Sequence, residues 1–500
     1  MDLPPTSTPL WERPSARYPP LAEDREADVV VVGAGIAGLT TAALLAEAGR
    51  DVVVLEARTV GSGTSGRTTA KASALQGTRY QQIAHVHGPD AAARYARAQL
   101  DGLAWLAARA EAVPAARWER RPAVTYATTA DGRRTVEKEA AAARSAGLAV
   151  EEADAGLPFP TTGAVWLADQ GQFDPGPYLA ALAAEVDGSP TGTVHEVTRV
   201  TGVHGSRSLR VATEHGSVRA GHVVVATLLP ITDRGLFFAR AAPTSSYLVA
   251  LDVDAPPPTA MYLSADAPTR SLRTAPHDGR EVLLVGGGGH DTGRGAPTLD
   301  RYAELAEWGA EHLGATGVVA RWSAHDYVPA DHLPWVGSAS VLTPHVLIAT
   351  GFEKWGMTMG TAAGLALTDR ILRREGPSSA WIRTFDPRRL APSGFLTAAR
   401  LNAKVAGRLA SDWVHPGADP AADGTGRRRR GGLVPVGEAE PDGERVDVVC
   451  THLGGVCEWN DGDRTWDCPL HGSRFGAEGA VVAAPAVRPL RRRGAPKHPI

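Results

Sequence analysis

The stretch from residue 28 to Glu56 constrains the fold of this chain more than any other. Four valines lead into Gly33-Ala-Gly35-Ile-Ala-Gly38, an alanine-rich run follows, and a second apolar segment ends at Glu56. This order predicts a strand, a tight glycine turn, a helix and a second parallel strand. It is the pattern of a dinucleotide-binding unit in an α/β fold.

Each glycine of this unit has a predicted role. Gly33 lets the chain leave the strand sharply, Gly35 lets the backbone approach a pyrophosphate, and Gly38 allows close packing of helix on sheet. The helix N-terminus offers free N–H groups and partial positive charge to the phosphates, while Glu56 can accept a hydrogen bond from a ribose hydroxyl. The alternative is a purely structural glycine turn, and the unit alone does not separate NAD from FAD.

Composition limits the classes of protein to which the chain can belong. Its 500 residues exceed what one hydrophobic core usually serves, so two or three domains are expected. A formal net charge of −3 argues against nucleic acid or an anionic membrane as a partner. Small molecules and other proteins are the expected partners.

No membrane span is predicted, because the apolar run from residue 29 to 46 is explained by the strand and helix around the glycine motif. Residues 1–26 are polar and proline-rich and lack the apolar core of a signal peptide, so a disordered or extended tail is expected. A cytoplasmic location with reduced cysteines follows from this interpretation.

Two further glycine-rich segments are predicted to contact the cofactor. Residues 61–71 combine small side chains, hydroxyls and cations, which suits a loop around a charged cofactor; a flexible surface loop is the alternative. Near Gly351 a buried strand again leads through glycines into a helix, which starts near Gly356. In a flavoprotein such a helix N-terminus faces the pyrimidine edge of the flavin, so this second turn favours FAD.

Residues 240–300 alternate short strands with proline-rich turns, which predicts an antiparallel sheet over the substrate. Arg270, Arg273 and His290 are the candidates for its cavity side, because an arginine can hold a carboxylate with two parallel hydrogen bonds. Residues on the surface of the strands are the alternative. No obvious pair of catalytic residues is visible in the sequence.

A linker is predicted over residues 406–432, where Pro, Gly, Ala and Asp accumulate and Arg427–Arg430 form a charge run. The arginines are expected to be solvated, with nucleic-acid binding as the weaker alternative. Only 17 residues, 433–449, then precede the first cysteine, which predicts a shortened C-terminal domain.

The three cysteines all lie between residues 450 and 468. Cys450-x-His452 and Cys468-x-x-His471 are separated by 15 residues, so each loop supplies one thiolate and one imidazole. A zinc finger usually takes both cysteines from one loop, which leaves zinc as the minor alternative. The interleaved pattern indicates a Rieske 2Fe-2S centre, with both cysteines on one iron and both histidines on the other.

With these motifs, the chain resembles the FAD-dependent oxidoreductases of the D-amino-acid oxidase and glycine oxidase superfamily that carry a C-terminal Rieske domain. The resemblance covers residues 28 to about 400 and 446 to about 490, and its most specific motifs are residues 349–358 and the cysteine–histidine box. It implies a Rossmann-like FAD domain of the glutathione-reductase type with an interleaved antiparallel substrate sheet (27–405), and a small all-β Rieske domain (433–500).

The resemblance also implies which residues contact the cofactor. The predicted set comprises the glycine unit, the loop after it, two backbone positions and the second glycine turn: Gly33, Gly35, Ala37, Gly38, Glu56, Arg58, Thr64, Ser65, Thr68, Thr69, Val197, Thr227, Gly351, Gly356, Met357 and Thr358. In the respiratory type of Rieske protein two further cysteines form a disulfide. Gly455 and Leu470 occupy their places here, so Cys457 is expected to be a small packed residue near Trp459.

The function implied is oxidation of a small amine or amino acid by hydride transfer to FAD, followed by electron transfer to the 2Fe-2S cluster. Hydride transfer from a neutral amine needs no strong base. A redox partner protein or oxygen is the expected final acceptor. Three alternatives stay open: a plain flavin oxidase, a tailoring dehydrogenase acting on a larger substrate, and a non-catalytic electron-transfer or redox-sensing protein.

Overall fold

The computed structural model describes residues 1–11, 18–232, 234–294, 297–389, 392–414, 426–431, 434–440 and 443–493. The helices in these ranges are α1 (Ile36–Glu47), α2 (Arg79–His87), α3 (Pro89–Glu111), α4 (Ala130–Ser145), α5 (Pro175–Gly188), α6 (Thr298–Leu313), α7 (Gly356–Leu372) and α8 (Pro392–Val414).

The strands of the first half are β1 (Arg25–Val32), β2 (Val52–Leu55), β3 (Lys71–Ala72), β4 (Glu119–Ala127), β5 (Glu151–Ala153), β6 (Gly163–Gln172), β7 (Gly192–His195), β8 (Val200–His204), β9 (Leu209–Thr213), β10 (Ser217–Val225), β11 (Ala241–Val253) and β12 (Met261–Ser264). Those of the second half are β13 (Ser271–His277), β14 (Arg280–Asp291), β15 (Ala315–Pro329), β16 (Trp335–Ser340), β17 (Thr343–Thr350), β18 (Gly426–Gly431), β19 (Val434–Ala439), β20 (Glu444–Asp447), β21 (Glu458–Asn460), β22 (Thr465–Asp467), β23 (Arg474–Gly476), β24 (Val481–Ala483) and β25 (Arg492–Arg493).

A mostly parallel sheet in the order β16-β17-β10-β1-β2-β7 carries the glycine unit, and the β8–β9 hairpin pairs with the free part of β10. Strand β1 pairs in parallel with both β2 and β10. Val29 and Val31 pack into one core and Val30 and Val32 into another, so both faces of β1 are buried. This explains the unbroken valine run, because a central parallel strand is covered on both sides.

The second large sheet has the order β15-β11-β14-β13-β12-β4-β6-β3, with β5 added on β6. Its pairings are antiparallel apart from that of β12 with β4. Helix α6 packs on β11, β14 and β15, where Leu305 and Ala306 join Leu251 in a buried cluster. The predicted antiparallel sheet is therefore confirmed, and its role over the substrate stays a prediction.

The C-terminal region consists of two small sheets, β18-β19-β20-β25 and β21-β22-β23-β24. Trp466, Phe475 and Val448 form its core together with the cysteines. The predicted class, an α/β flavoprotein fold followed by a small all-β domain, is therefore confirmed.

Of the predicted linker at 406–432, the described residues 406–414 and 426–431 belong to regular elements. Residues up to Val414 belong to α8, and Arg427–Arg430 belong to β18, paired with β19. Arg427 contacts Glu438 at 2.8 Å and Arg428 contacts Glu458 at 2.8 Å. Successive side chains of a strand point to opposite faces, so a run of arginines can form a strand when carboxylates lie on both sides. Residues 415–425 and 432 lie outside the described residues.

Strands β18, β19 and β20 precede Cys450 and share a sheet with β25, so the C-terminal region is not short of strands before its first ligand loop. The N-terminal segment is irregular in its described part, but it is packed. Trp11 is buried and donates its indole N–H to Thr68 O at 2.9 Å, and Leu21 is also buried. Residues 12–17 lie outside the described part.

None of the helices in the described ranges has both the length and the apolar character that a membrane span requires.

Candidate functional site

The first glycine turn leaves no room for side chains. Gly33 has φ of +105°, and a Cβ there would lie 2.6 Å from Ala226 O. A Cβ on Gly38 would lie 2.0 Å from Gly33 O, so α1 can sit this close to the turn only with glycine. The predicted roles of Gly33 and Gly38 in turn and packing agree with this geometry.

Glu56 connects the turn to the loop that follows β2. Its carboxylate accepts hydrogen bonds from the backbone N–H of Ala34 and of Arg58, both at 2.9 Å. Ser65 Oγ accepts from the backbone N–H of Ile36 at 3.1 Å. The loop at 61–69 is therefore held against the first turn of α1.

One large cavity of about 1320 Å³ is bounded by these elements. Most residues predicted to contact the cofactor line it: Gly33, Gly35, Ala37, Glu56, Arg58, Thr64, Ser65, Thr68, Thr69, Thr227, Gly356 and Met357. Gly356 and Met357 form the first turn of α7, so the positive end of this helix faces the cavity.

Four predicted contact residues do not line the cavity. Gly38 faces Gly33, and Gly351 lies against Pro329 and Trp335. Thr358 is buried and donates its hydroxyl to Gln99 Oε1. Val197 is 61% exposed, and its backbone N–H donates to Arg58 O at 2.8 Å, so it supports the loop after β2.

The turn before α7 is strained. Glu353 and Lys354 both have positive φ, +47° and +73°, which non-glycine residues rarely adopt. The Asp326 carboxylate accepts from the backbone N–H of Lys354, and Arg79 pairs with Glu353 at 2.5 Å. Burial favours the neutral form of Glu353, but Arg79 holds the pKa of this carboxyl below its ordinary value. These contacts fix the strained turn at the cavity wall.

Lys71 ends the segment 61–71, and the sequence does not predict an individual role for its side chain. Lys71 lines the cavity, and its Nζ donates to Tyr262 O at 2.6 Å and to Ser271 Oγ at 2.7 Å. Burial, with a contribution from nearby Arg273, lowers the pKa of Lys71 well below its ordinary value. The sequence holds no signal for this, because its partners are 191 and 200 residues away along the chain.

Only one of the three predicted substrate residues lines the cavity. His290 lines it and stacks on Tyr247, with ring centroids 5.6 Å apart. Burial lowers the pKa of His290 to about 4, with a smaller contribution from the positive charge of Arg301. Arg270 instead pairs with Glu304 at 2.6 Å, and Arg273 donates to Thr274 O at 2.9 Å.

The guanidinium of Arg270 lies over the Trp308 ring, at 5.7 Å from its centroid, and that of Arg273 over Trp11, at 5.0 Å. The prediction for these two arginines is therefore corrected. The sequence shows the strand but not where along it the cavity ends.

The two cysteine–histidine loops have the same backbone structure. Cys450 N–H donates to Gly455 O at 2.8 Å, and Cys468 N–H donates to Ser473 O at 2.8 Å. The return bonds, from Gly454 to Cys450 O and from Gly472 to Cys468 O, are both 3.0 Å. Gly454 and Gly472 also have nearly equal φ values, +76° and +75°. Two matching loops thus face each other across one centre.

The four predicted ligands come together in pairs. The rings of His452 and His471 are 5.3 Å apart between centroids, and both pack edge-on against Phe238. The side chains of Cys450 and Cys468 are buried in one cluster, together with Cys457. Thiols on one side and imidazoles on the other fit a 2Fe-2S cluster with two protein ligands per iron.

Among the described residues no group of three or more His, Cys, Asp and Glu side chains is arranged around a single metal ion. A binuclear cluster with two protein ligands per iron requires no such group, so this result does not conflict with the paired ligands.

Cys457 is buried beside the ligand sulfurs, a position that the sequence pattern did not reveal. A Cβ at position 455 would lie 2.7 Å from the Leu470 side chain. Positions 455 and 470 therefore face each other, and neither carries a cysteine.

The fold and the site define a flavoprotein oxidoreductase with an iron–sulfur module. The chain belongs to the DAO family of FAD dependent oxidoreductases, which it matches over residues 28–370, and it carries a Rieske 2Fe-2S domain at residues 440–493. The cofactors of these two parts are FAD and a 2Fe-2S cluster.

The Bacillus subtilis (strain 168) protein YhfW, whose name describes a Rieske 2Fe-2S iron-sulfur protein, is 32% identical over 491 residues, 95% of each chain. Glycine oxidase from Geobacillus kaustophilus shares the fold with a TM-score of 0.57 at 21% identity, covering 70% of this chain and 96% of its own. L-proline dehydrogenase from P. horikoshii has a TM-score of 0.60 at 18% identity, covering 73% and 97%.

Proposed function

We propose that this protein oxidises a small amine or amino acid at FAD and passes the electrons to its Rieske cluster. The observation that carries the proposal is the shared cavity. Its walls come from the glycine unit, from strand β14, which we call the roof strand, and from the Rieske region, which contributes Asp463, Arg474 and Ala484. The amine substrate class is supported by the names of structural neighbours, which include glycine oxidase and L-proline dehydrogenase.

The residues proposed to hold FAD are those of the cavity wall. Glu56 would accept from the ribose, the first turn of α1 would face the pyrophosphate, and the first turn of α7 would face the flavin ring. When bound, FAD accepts a hydride from the substrate carbon, and the 2Fe-2S cluster carries single electrons onward.

Lys71 is proposed to accept a proton from the substrate ammonium group. A neutral lysine amine has two N–H bonds and one lone pair, and Tyr262 O and Ser271 Oγ accept both hydrogens. The lone pair on Nζ is then available, and only a neutral substrate amine can release a hydride readily. Because burial lowers its pKa, Lys71 is better suited to this role than an exposed lysine.

The strained turn and the roof shape the substrate end of the cavity. A Cβ on Gly289 would lie 3.3 Å from Lys354 Nζ, so the roof strand approaches the turn closely. His290, neutral at pH 7, can donate or accept one hydrogen bond from the roof.

The final acceptor is proposed to be a redox partner protein, with oxygen as the second candidate. A cytoplasmic location is proposed as well, because none of the three cysteines, all within the described residues, forms a disulfide.

The test is an anaerobic panel of amines and amino acids mixed with the loaded protein. Bleaching of the flavin followed by reduction of the cluster supports the proposal. If a partner protein reduces the flavin and no small donor does, the enzymatic role is wrong. Peroxide production at an unchanged rate in Cys468→Ala would identify a plain oxidase.

A further inference from the structure

Asp463 lies in the turn between β21 and β22 of the Rieske region, yet its carboxylate faces the flavin-binding part of the chain. Its side chain is 5% exposed and lines the cavity. It receives contacts from two cations and three hydroxyls: Arg474 at 2.6 Å, Arg67 at 3.8 Å, Ser7 at 2.5 Å, Tyr302 at 3.4 Å and Ser323.

These partners keep a buried carboxylate charged. Burial alone would raise the pKa of Asp463, but Arg474 and Arg67, with the hydroxyls of Ser323 and Ser7, hold it below its ordinary value. A buried charge is tolerated only when it is paired and hydrogen-bonded. Removing this charge would leave two arginines without their shared partner.

Arg67 is the link to the cofactor loop. It ends the short 3-10 turn Thr64–Arg67, whose first residues line the cavity. Its Nε donates to Ser323 O at 2.7 Å, and its Nη2 donates to Ser7 Oγ at 2.8 Å. The position of this turn therefore depends on groups that Asp463 gathers around it.

Arg474 is the link to the cluster. Its Nε donates to Asp467 Oδ1 at 2.9 Å, and Asp467 directly precedes the ligand Cys468. One carboxylate thus connects the loop at the flavin with the strand that leads into a cluster-ligand loop.

We propose that Asp463 is a positioning residue through which the docked Rieske region orders the FAD-binding loop at Thr64–Arg67. FAD retention then depends on a side chain of the iron–sulfur region. This inference rests on the proposed assignment of that loop to FAD, and it is tested without any substrate.

The test is Asp463→Asn, measured as the dissociation constant of FAD by fluorescence titration of the deflavinated protein. Loss of one charged partner is expected to weaken FAD binding about tenfold, or about 1.4 kcal/mol. The electron paramagnetic resonance signal of the reduced cluster is expected to remain, because no ligand is changed.

The matched control is Asp461→Asn, two residues away in the same turn. The Asp461 carboxylate accepts from the backbone N–H of Thr298 at 2.7 Å, at the start of α6, and it does not line the cavity. This variant is expected to lower the melting temperature and to leave FAD affinity unchanged. Equal loss of FAD in both variants would overturn the proposal, since it would indicate general loosening.

Arg67→Met approaches the same link from the flavin side and serves if Asp463→Asn does not fold. It is expected to weaken FAD binding by a similar factor. The double variant is expected to weaken it by little more than either single one, because Asp463 and Arg67 contact each other and share Ser7 as a partner. Additive effects, or wild-type FAD affinity in either variant, would show that Asp463 does not order the loop.

Discussion

Tyr327 donates its hydroxyl hydrogen to the backbone carbonyl oxygen of His471 at 2.9 Å. The same hydroxyl lies 3.2 Å from Ala484 O. Its neighbour in β15, Asp326, accepts from the N–H of Lys354 at the turn before α7. Strand β15 thus contacts two parts of the site through neighbouring residues. Asp326 contacts the turn before α7, and Tyr327 contacts the cluster ligand His471.

Tyr327→Phe is expected to lower the free energy of unfolding by about 1–3 kcal/mol, because the buried carbonyl group of His471 loses its donor. Reduction of the cluster after the flavin should slow, while reduction of the flavin by substrate stays unchanged. Chemical denaturation and anaerobic stopped-flow spectroscopy measure the two effects. Tyr178→Phe is the matched control, since the buried Tyr178 hydroxyl has no hydrogen-bond partner in the described structure.

A comparison of Cys468→Ala with Cys457→Ala distinguishes a cluster ligand from a cysteine that only packs beside the cluster. Both side chains are buried in the same cluster of thiols, but only Cys468 belongs to the paired ligand loops. Cys468→Ala is expected to abolish iron and acid-labile sulfide. Cys457→Ala is expected to keep both and to cost about 1 kcal/mol of stability. Loss of iron in Cys457→Ala would contradict the ligand assignment.

Lys71→Met is expected to lower the rate of flavin reduction by about 10²- to 10⁴-fold, the usual contribution of a positioned proton acceptor. In the wild type kcat/KM should rise with pH as Lys71 loses its proton, and because burial lowers its pKa this rise should occur at a lower pH than for an exposed lysine. In the variant the rise should instead follow the pKa of the substrate ammonium group, because the substrate must then lose its proton to solvent. An amine substrate of low pKa, which is already neutral, should recover much of the rate; no recovery would contradict the role of Lys71.

Glu139 provides a test of the fold away from the cavity. Burial raises its pKa to about 7, against an ordinary 4.5, although the N–H groups of Tyr80 and Gln81 donate to it. Between pH 4.5 and about pH 7 the folded protein therefore keeps a proton on Glu139, whereas the unfolded chain has released it. Stability should fall as pH rises from about 4.5 to 7, by roughly 3 kcal/mol from this group.

Glu139→Gln keeps the shape without the charge and should flatten this dependence, at a baseline cost of about 1 kcal/mol for a disturbed hydrogen bond. Urea denaturation at pH 5 and pH 8 gives the comparison. An equally steep fall in the variant would assign the pH dependence to other groups.

The local parts of the site were predictable. The glycines around Gly33 are required by contacts within one strand–turn–helix unit, and the cluster ligands lie in two loops separated by 15 residues. The arginine run at 427–430 was misinterpreted because its carboxylate partners, Glu438 and Glu458, lie on other strands. Arg270 and Arg273 were misplaced because periodicity gives the face of a strand and not its depth in the protein.

The sequence alone determined the dinucleotide-binding unit, the second glycine turn and the paired cysteine–histidine loops, since short-range sterics and ligand spacing dictate them. Only the tertiary structure decided which groups surround the cavity. Lys71 meets Tyr262 across 191 residues, and Asp463 reaches Arg67 from another region of the chain. Such burial and charge pairing depend on how the sheets pack, and no local pattern encodes that packing.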